Sequence, residues 1–86
     1  MKSSTTPEFW RAYSALPPMV RKAARKNYRL WLQNPRHGSL QFQRKGSFWS
    51  ARVTTGYRAL AVAVPDGYLW FWVGSHDEYE RMLSQR

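Results

Sequence analysis

The sequence predicts an α+β fold, in which an N-terminal helical hairpin packs on a four-stranded antiparallel sheet and a short C-terminal helix follows. Three observations predict this fold. Apolar residues recur at helical spacing before residue 34, turn residues divide 48–75 into short apolar runs, and a helix-start pattern follows those runs. A chain of 86 residues has room for one modest core, so 1–86 is treated as a single domain.

The first helix begins within residues 5–8, which read TTPE. A Thr there caps the helix, Pro suits the first turn, and Glu8 is placed to return the capping bond. The helix is predicted over 7–15, where the following prolines end it. Residues 1–4 are predicted to form a short frayed arm.

The second helix is predicted over 18–33, because Asn34-Pro35 stops it. Val20, Ala24 and Trp31 share an apolar face. Five basic residues fill the opposite face: Arg21, Lys22, Arg25, Lys26 and Arg29. The helix contains no acidic residue, so this face forms no ion pairs of its own. It is either a solvated face or a contact for an acidic protein or nucleic acid, with Lys22, Arg25 and Arg29 as the nucleic-acid candidates.

Two turn signals, TTG at 54–56 and PDG at 65–67, separate runs that are rich in Trp, Tyr, Phe and Val. They predict a three-stranded meander with three-residue loops, each ending in a glycine of positive φ, Gly56 or Gly67. A further strand is predicted over 39–43, where polar and apolar residues alternate, and a basic turn over 44–47 leads into the meander.

The predicted register assigns the faces of the sheet. Arg58 lies opposite Arg52 in one neighbouring strand and opposite Gly74 in the other. The charge-free face, which carries Trp49, Ala51, Val53, Tyr57, Ala59, Ala61, Ala63, Leu69, Phe71 and Val73, is predicted to meet the helices. The other face carries Ser50, Arg52, Arg58, Leu60, Val62, Tyr68, Trp70 and Trp72. Like charges across a ladder repel, and an anion between Arg52 and Arg58 would offset that repulsion.

The last helix begins at residues 75–78, which read SHDE and form a second capping box with an acidic first turn. Tyr79, Met82 and Leu83 would hold this helix down on the fold, or one of them would face the site. All helices are predicted to lie on one face of the sheet.

Composition points to a polyanionic partner. The net charge is +9 and the pI is near 10.7, values that suit contact with nucleic acid, an anionic membrane or an acidic protein, as well as a merely soluble surface. The chain has no cysteine, and its two histidines and scattered carboxylates show no metal-ligand spacing, so neither a metal nor another cofactor is expected. Without a signal core or a membrane span, a cytoplasmic protein is expected.

Three pieces of the chain read LPPMVRKAARKNYRLWLQNPRHGSLQFQ at 16–43, GYRAL at 56–60 and WFWVGSHDEYE at 70–80. In this order they resemble the RelE/ParE superfamily of toxins from type II toxin–antitoxin systems. The resemblance implies a RelE-like fold. It also implies either cleavage of mRNA in the ribosomal A site or, as in the ParE branch, poisoning of DNA gyrase. Both branches are neutralised by a small antitoxin encoded beside the toxin.

The resemblance further implies a catalytic set of Arg58, His76 and Tyr79. Arg58 matches the position that stabilises the scissile phosphate in RNA-cutting members. The GSHDEY piece is similar to YafQ- and HigB-type members, which have a functional histidine at the place of His76 and a functional ring at the place of Tyr79. Other nucleases of the family use lysines or further histidines on the middle strands, whereas the second histidine here, His37, lies in a loop.

The residue types suit this chemistry. Cleavage by the RNA 2′-hydroxyl needs a base, an acid and cations at the phosphate, and it needs no metal. His76 exchanges protons near neutral pH and can be the acid or the base, or it merely enters the helix. Arg58 can hold two phosphate oxygens in a fork, or it pairs with a C-terminal carboxylate. Arg52 is a further candidate for the same phosphate.

Other residues are candidates for RNA contact, each with a plainer alternative. Arg44 and Lys45 bind the RNA backbone or form an exposed turn. Tyr79 stacks on a base or anchors the last helix, and Trp70 and Trp72 form a stacking floor or belong to the core.

The sequence thus predicts a toxin that is a ribosome-dependent mRNA endonuclease, or mRNA interferase, and that arrests growth by blocking translation. Its partners would be a small acidic antitoxin, the ribosome and mRNA. The alternatives are a ParE-type inhibitor of DNA gyrase and a basic RNA-binding module without catalysis.

Overall fold

A computed structural model describes residues 2–84 of the chain. In this range the strands are β1 (Lys2–Thr5), β2 (Gln43–Lys45), β3 (Phe48–Thr54), β4 (Tyr57–Val64) and β5 (Gly67–Ser75). The α-helices are α1 (Pro7–Ser14), α2 (Pro18–Gln33) and α3 (His76–Ser84), and one 3-10 turn covers Gly38–Leu40. No helix among the described residues is both long enough and apolar enough to cross a bilayer.

The strands form one mixed sheet of five strands in the order β1-β5-β4-β3-β2. The predicted α+β class is confirmed, and so are the antiparallel pairs β2–β3, β3–β4 and β4–β5. The predicted number of four strands is wrong, because the sheet has five. The fifth strand, β1, pairs in parallel with β5, so the predicted frayed arm is ordered from Lys2 onward, while Met1 lies outside the described residues. The KSST segment lacks the alternation of polar and apolar residues that predicts a strand. It is a strand because its backbone pairs with β5 at the edge of the sheet.

β1 approaches β5 most closely at Gly67, which pairs with Lys2. A β-carbon at position 67 would collide with the backbone carbonyl of Lys2. Gly67→Ala is therefore expected to lower the free energy of unfolding by about 1–3 kcal/mol and to detach β1. Urea denaturation would measure the first effect, and amide hydrogen exchange at Ser4 would measure the second. Gly56→Ala is the control, because a β-carbon there meets nothing within 4 Å; an equal loss in both variants would contradict this account.

Helix α1 begins at a side-chain cap, whereas α2 begins at its prolines without one. The Thr6 hydroxyl accepts a hydrogen bond from the Phe9 amide at 3.1 Å and begins α1. Because Thr6 rather than Thr5 is the cap, Glu8 lies one position too early to return the bond, and it pairs with Arg11 at 2.9 Å instead. The predicted bounds of α2 are confirmed, and α1 ends one residue before its predicted end.

The segment between α2 and β3 differs from its prediction. The strand predicted over 39–43 does not form at its start, where the 3-10 turn buries Leu40 instead. The next residue, Gln41, adopts a left-handed φ of 45°. This reversal delays β2 to Gln43–Lys45. Arg44 and Lys45 therefore belong to an edge strand rather than to the predicted turn, and Gly46, with φ of 64°, forms the turn.

The predicted register around Arg58 is confirmed, since it pairs with Arg52 on one side and with Gly74 on the other. The loops, however, contain two residues each, because Thr54 pairs with Tyr57 and Val64 pairs with Gly67. The predicted positive φ at Gly56 and Gly67 is wrong: among the glycines of residues 2–84 only Gly46 has one.

A bulge in β5 reverses which side chains of its first half point toward the helical pair. Leu60 pairs with Trp72 and the next residue, Ala61, pairs with Trp70, so Phe71 is an extra residue. Tyr68 and Trp70 therefore face the helical pair in place of the predicted Leu69 and Phe71. The buried core on that face consists of Leu16, Trp31, Leu40, Ala51, Val53, Ala59, Ala61, Trp70 and Val73.

Helix α3 covers the opposite face of the sheet from α1 and α2. Tyr79 is buried, and its hydroxyl lies 3.5 Å from that of Ser50, which points away from the core residue Ala51. Leu60 is buried on the same face. The prediction that all helices share one face is wrong, because α3 follows β5 without a linker and its apolar side meets residues that the helical pair leaves uncovered.

Candidate functional site

The ends of three elements meet at the turn between β3 and β4. Arg58 pairs with Gly74 near the end of β5, and α3 begins two residues later at His76. The His76 amide donates a hydrogen bond of 2.8 Å to the carbonyl of Gly56 in the turn. The structure thus brings Arg58 and His76 to the same end of the sheet, and neither side chain is fully buried.

Backbone carbonyls of the turn hold the Arg58 guanidinium. Its Nη1 donates to the carbonyls of Thr54 at 2.8 Å and Tyr57 at 3.0 Å. Among the described residues none of its hydrogen bonds uses Nε or Nη2. Carbonyls orient a guanidinium without neutralising its charge, so Arg58 keeps a full positive charge and two nitrogens for an anion.

A second guanidinium converges on the same turn. Arg52 lies opposite Arg58, and its Nη2 donates to the Thr55 hydroxyl at 2.9 Å. None of the ion pairs within residues 2–84 involves either arginine. Two half-buried cations without a carboxylate repel one another, and a phosphate between them would convert that repulsion into attraction.

His76 lies at the N-terminus of α3 with 42% of its side chain exposed. Its Nε2 is 3.4 Å from a carboxylate oxygen of Glu80, one turn further along the helix. Glu80 is the partner that sequence reasoning did not single out from the three nearby acidic residues, although the i,i+4 spacing carries the signal. The carboxylate therefore orients the imidazole.

Tyr79 is an anchor rather than an open ring. Only 5% of it is exposed, and it lies between Ser50 and His76, whose ring centroid is 5.5 Å from its own. The ring therefore supports the imidazole from the sheet side. Of the two tryptophans considered for stacking, Trp70 is buried in the core under α2, whereas Trp72 is half-buried beside Gly74.

The remaining candidates lie away from this cluster. Arg44 and Lys45 are exposed on the edge strand β2, where Lys45 pairs with Phe48, roughly 13 Å along β3 from Arg52. Lys45 shares the Arg52 face, because paired residues point to the same side. The exposed cations of α2, Lys22, Arg25 and Arg29, lie on the helical pair, which covers the other face, and the structure does not bring them to Arg58.

The cluster contains no set of metal ligands. Residues 2–84 hold no group of three or more His, Asp and Glu side chains that are close enough to share an ion. The second histidine, His37, is distant in sequence and structure, since its Nδ1 caps the 3-10 turn through the Ser39 amide. The functional groups at the turn are two guanidiniums, one imidazole and one carboxylate.

No protein-family model matches the chain, and no curated protein matches it by sequence. Solved structures do match. A chain of the RelB–RelE antitoxin–toxin complex from Methanococcus jannaschii has a TM-score of 0.66 at 16% identity, covering 91% of this chain and 95% of that one. The YoeB/ParE toxin from Agrobacterium tumefaciens has a TM-score of 0.66 at 19% identity, covering 88% and 99%. The chain has the fold of the RelE/ParE toxins.

YafQ from Escherichia coli shares this RelE/ParE toxin fold, with a TM-score of 0.64 at 9% identity and coverage of 91% of this chain and 96% of that one. The predicted RelE-like fold is therefore confirmed. RelE, YafQ and YoeB/ParE toxins all have this fold, so the fold does not distinguish between these kinds of toxin.

Proposed function

We propose that the protein is the toxin of a type II toxin–antitoxin system and that it blocks translation by cutting mRNA on the ribosome. One observation carries the choice of RNA cleavage: Arg52 and Arg58, two guanidiniums without carboxylate partners among residues 2–84, converge on the turn from which His76 begins α3. An anion-binding pair beside a group that exchanges protons near neutral pH is what phosphodiester cleavage requires.

In the proposed reaction the RNA 2′-hydroxyl attacks the adjacent phosphorus. The bond from phosphorus to the 5′-oxygen breaks, which leaves a 2′,3′-cyclic phosphate and a 5′-hydroxyl. Arg58 and Arg52 hold the phosphoryl oxygens and stabilise the additional negative charge of the transition state. His76 either takes the proton from the 2′-hydroxyl or gives one to the 5′-oxygen, and water makes the other transfer. Glu80 and Tyr79 position its ring.

The rest of the RNA would lie along the α3 face of the sheet. Lys45 at the far end of β3 would contact a phosphate of a neighbouring nucleotide, whereas Arg44 pairs with Trp49 and therefore lies on the face of the helical pair. Trp72, half-buried beside Gly74, offers a ring next to the reacting nucleotide. Because backbone contacts of this kind are electrostatic, binding should weaken steeply as salt is raised.

The net charge of +9 supports a small acidic antitoxin as the partner of this toxin. Several of the matching solved structures are antitoxin–toxin complexes, including those from Methanococcus jannaschii and Escherichia coli. Since ribosomes and mRNA are the proposed targets, the cytoplasm is the proposed location.

Inhibition of DNA gyrase is a second candidate, because a YoeB/ParE toxin matches the fold. That mode has no use for a proton-transferring group beside two arginines. A basic RNA-binding module without catalysis would likewise leave His76 without a role.

Induction of the toxin followed by mapping of mRNA 5′ ends separates these functions. The proposal expects new 5′ ends inside coding regions within minutes, together with loss of protein synthesis, and it expects neither in the His76→Ala variant. Trapped DNA breaks with protein synthesis intact would establish the gyrase mode and overturn the proposal. Salt-sensitive RNA binding without new ends would establish the inactive module.

A further inference from the structure

Both guanidiniums of the candidate site contact one residue of the turn, Thr55. Arg52 donates from Nη2 to the Thr55 hydroxyl at 2.9 Å, and Arg58 donates from Nη1 to the Thr55 carbonyl at 3.4 Å. No ion pair within residues 2–84 involves either arginine. A hydroxyl, which can be esterified, therefore lies against two cations that have no counter-ion in the described part of the chain.

Thr55 differs from its neighbour Thr54 in exposure and in bonding. Thr55 is exposed in the two-residue loop, and its hydroxyl accepts a hydrogen bond from the side chain of Arg52. Thr54 is half-buried, pairs with Tyr57 in the ladder, and accepts the Gly56 amide with its hydroxyl at 3.3 Å. Of these two hydroxyls, that of Thr55 is the one that another enzyme can reach.

We infer that Thr55 is a phosphorylation site, and that its phosphate occupies the space between Arg52 and Arg58 and switches RNA cleavage off. The inference rests on the proposed function for the activity that is lost. In the reaction, the Thr55 hydroxyl oxygen attacks the terminal phosphorus of a nucleoside triphosphate that is bound to a protein kinase. The bond from that phosphorus to the bridging oxygen breaks, a nucleoside diphosphate leaves, and the hydroxyl proton passes to a base of the kinase.

The two arginines suit a phosphate at this position. The phosphorus would be bonded to the oxygen that Arg52 already contacts, so its free oxygens would meet that guanidinium directly. Among the described residues, no hydrogen bond of Arg58 uses Nε or Nη2. A phosphothreonine has a charge of about −1.5 to −2 at pH 7 and three acceptor oxygens, which form charge-assisted hydrogen bonds with arginine clusters. The repulsion between the two like charges is then replaced by attraction to the phosphate.

A phosphate on Thr55 would exclude RNA because it uses the same two guanidiniums. The group is tethered to the turn, so it competes at an effective concentration on the order of millimolar, whatever the concentration of RNA. Its negative charge also repels the RNA backbone. Phosphorylation would therefore block the site without unfolding the toxin.

The charges around Thr55 indicate the class of kinase. Arg52 lies three residues before it and Arg58 three residues after it, and the segment 50–58 contains no acidic residue. A kinase with an acidic substrate groove is complementary to this segment, because opposite charges across an interface favour the matching partner.

The first experiment uses the full-length chain with phosphothreonine installed at position 55. In phosphorus NMR, the second pKa of the phosphate should fall below its usual value of about 6, because both guanidiniums favour the dianion, and it should rise again in Arg52→Gln. Affinity for a single-stranded RNA oligonucleotide should fall at least about tenfold. Cleavage of mRNA on ribosomes should fall at least about a hundredfold, the factor that one group stabilising the transition-state charge supplies.

Gln33→Glu is the control for added negative charge. Residue 33 is exposed at the end of α2, on the helical pair that covers the other face of the sheet. This variant should change RNA affinity and cleavage by less than about twofold. Equal losses in Gln33→Glu and in the phosphothreonine chain would show that net charge alone is responsible, and would overturn the inference.

The second experiment determines whether the site is used in cells. The full-length chain with His76→Ala, which can accumulate because it lacks the proposed acid or base, would be recovered from growing and from starved cells of the organism that encodes it. Mass spectrometry should find phosphate on Thr55 and not on Thr54, and the additional substitution Thr55→Val should abolish it.

Absence of phosphate from Thr55 under both growth conditions overturns the inference. A phosphate whose pKa stays near its usual value and does not respond to Arg52→Gln overturns it too. If the unmodified chain cleaves mRNA and the phosphothreonine chain cleaves it equally well, the inference alone is refuted. If both arginines hold the phosphate and RNA affinity falls, yet the unmodified chain cleaves nothing, the proposed function alone is refuted.

Discussion

The His76→Ala variant is expected to cleave ribosome-bound mRNA about 10²–10⁴-fold more slowly than the wild type, because a positioned proton-transferring group contributes about that factor. His76 is exposed at the start of α3 and is oriented by Glu80, so its removal deletes the proposed acid or base without opening the core. Single-turnover cleavage by the purified protein on programmed ribosomes measures the effect.

The second histidine supplies the matched control for this experiment. His37 is exposed and caps a 3-10 turn in the loop after α2, so His37→Ala should cleave at close to the wild-type rate. Arg58→Lys is expected to lose most of the activity as well, since an ammonium cannot hold two phosphate oxygens in a fork. Equal losses in the two histidine variants would show that the effect is not specific to the candidate site.

The largest expected loss of stability belongs to Trp31→Ala, at about 3–5 kcal/mol in the free energy of unfolding. Trp31 is 1% exposed, and its ring packs edge-on against those of Phe42, Tyr68 and Trp70, with ring centroids 5.2–5.7 Å apart. Truncation would leave a cavity between α2 and the sheet and would remove the packing of α2 on Tyr68 and Trp70 of β5. A small domain has about 5–15 kcal/mol of stability in total, so most of it would be lost.

Urea denaturation followed by circular dichroism measures this change, and a His76→Ala background lets all variants be expressed alike. The neighbouring residue provides the control: Leu32 is 47% exposed, and Leu32→Ala should change the free energy of unfolding by less than about 0.5 kcal/mol. A Trp31→Ala protein that unfolds at the wild-type urea concentration would contradict the description of the core.

The parts of the fold that were predicted from sequence are those that local chemistry determines. Prolines on both sides fix the bounds of α2, and the two turn signals place Arg58 opposite Arg52 and Gly74. The predictions fail where tertiary contacts determine which face of the sheet a side chain occupies. The bulge at Phe71 leaves no mark in the sequence, yet it turns Trp70 toward α2 and thereby makes it core.

The candidate site divides in the same way. Arg58 and His76 were identified by their place in the GYRAL and GSHDEY pieces, and the structure brings them to one end of the sheet. The sequence left open whether Tyr79 stacks on a base or anchors the last helix, because the choice depends on which face of the sheet α3 covers. The predicted register already places Arg52 opposite Arg58, whereas the hydrogen bond from Arg52 to the Thr55 hydroxyl depends on the geometry of the turn and could not be predicted.

The most direct test of the central claim, that Arg58 and His76 cut RNA by using its own 2′-hydroxyl, replaces one oxygen of the substrate. Ribosomes would be loaded with mRNA in which the nucleotide on the 5′ side of the cleavage point is either ribo or 2′-deoxy, and cleavage by the purified toxin would be followed on gels. The account predicts cleavage of the ribo substrate to a 2′,3′-cyclic phosphate and no cleavage of the deoxy substrate. Equal cleavage of both substrates, or of neither, would contradict it.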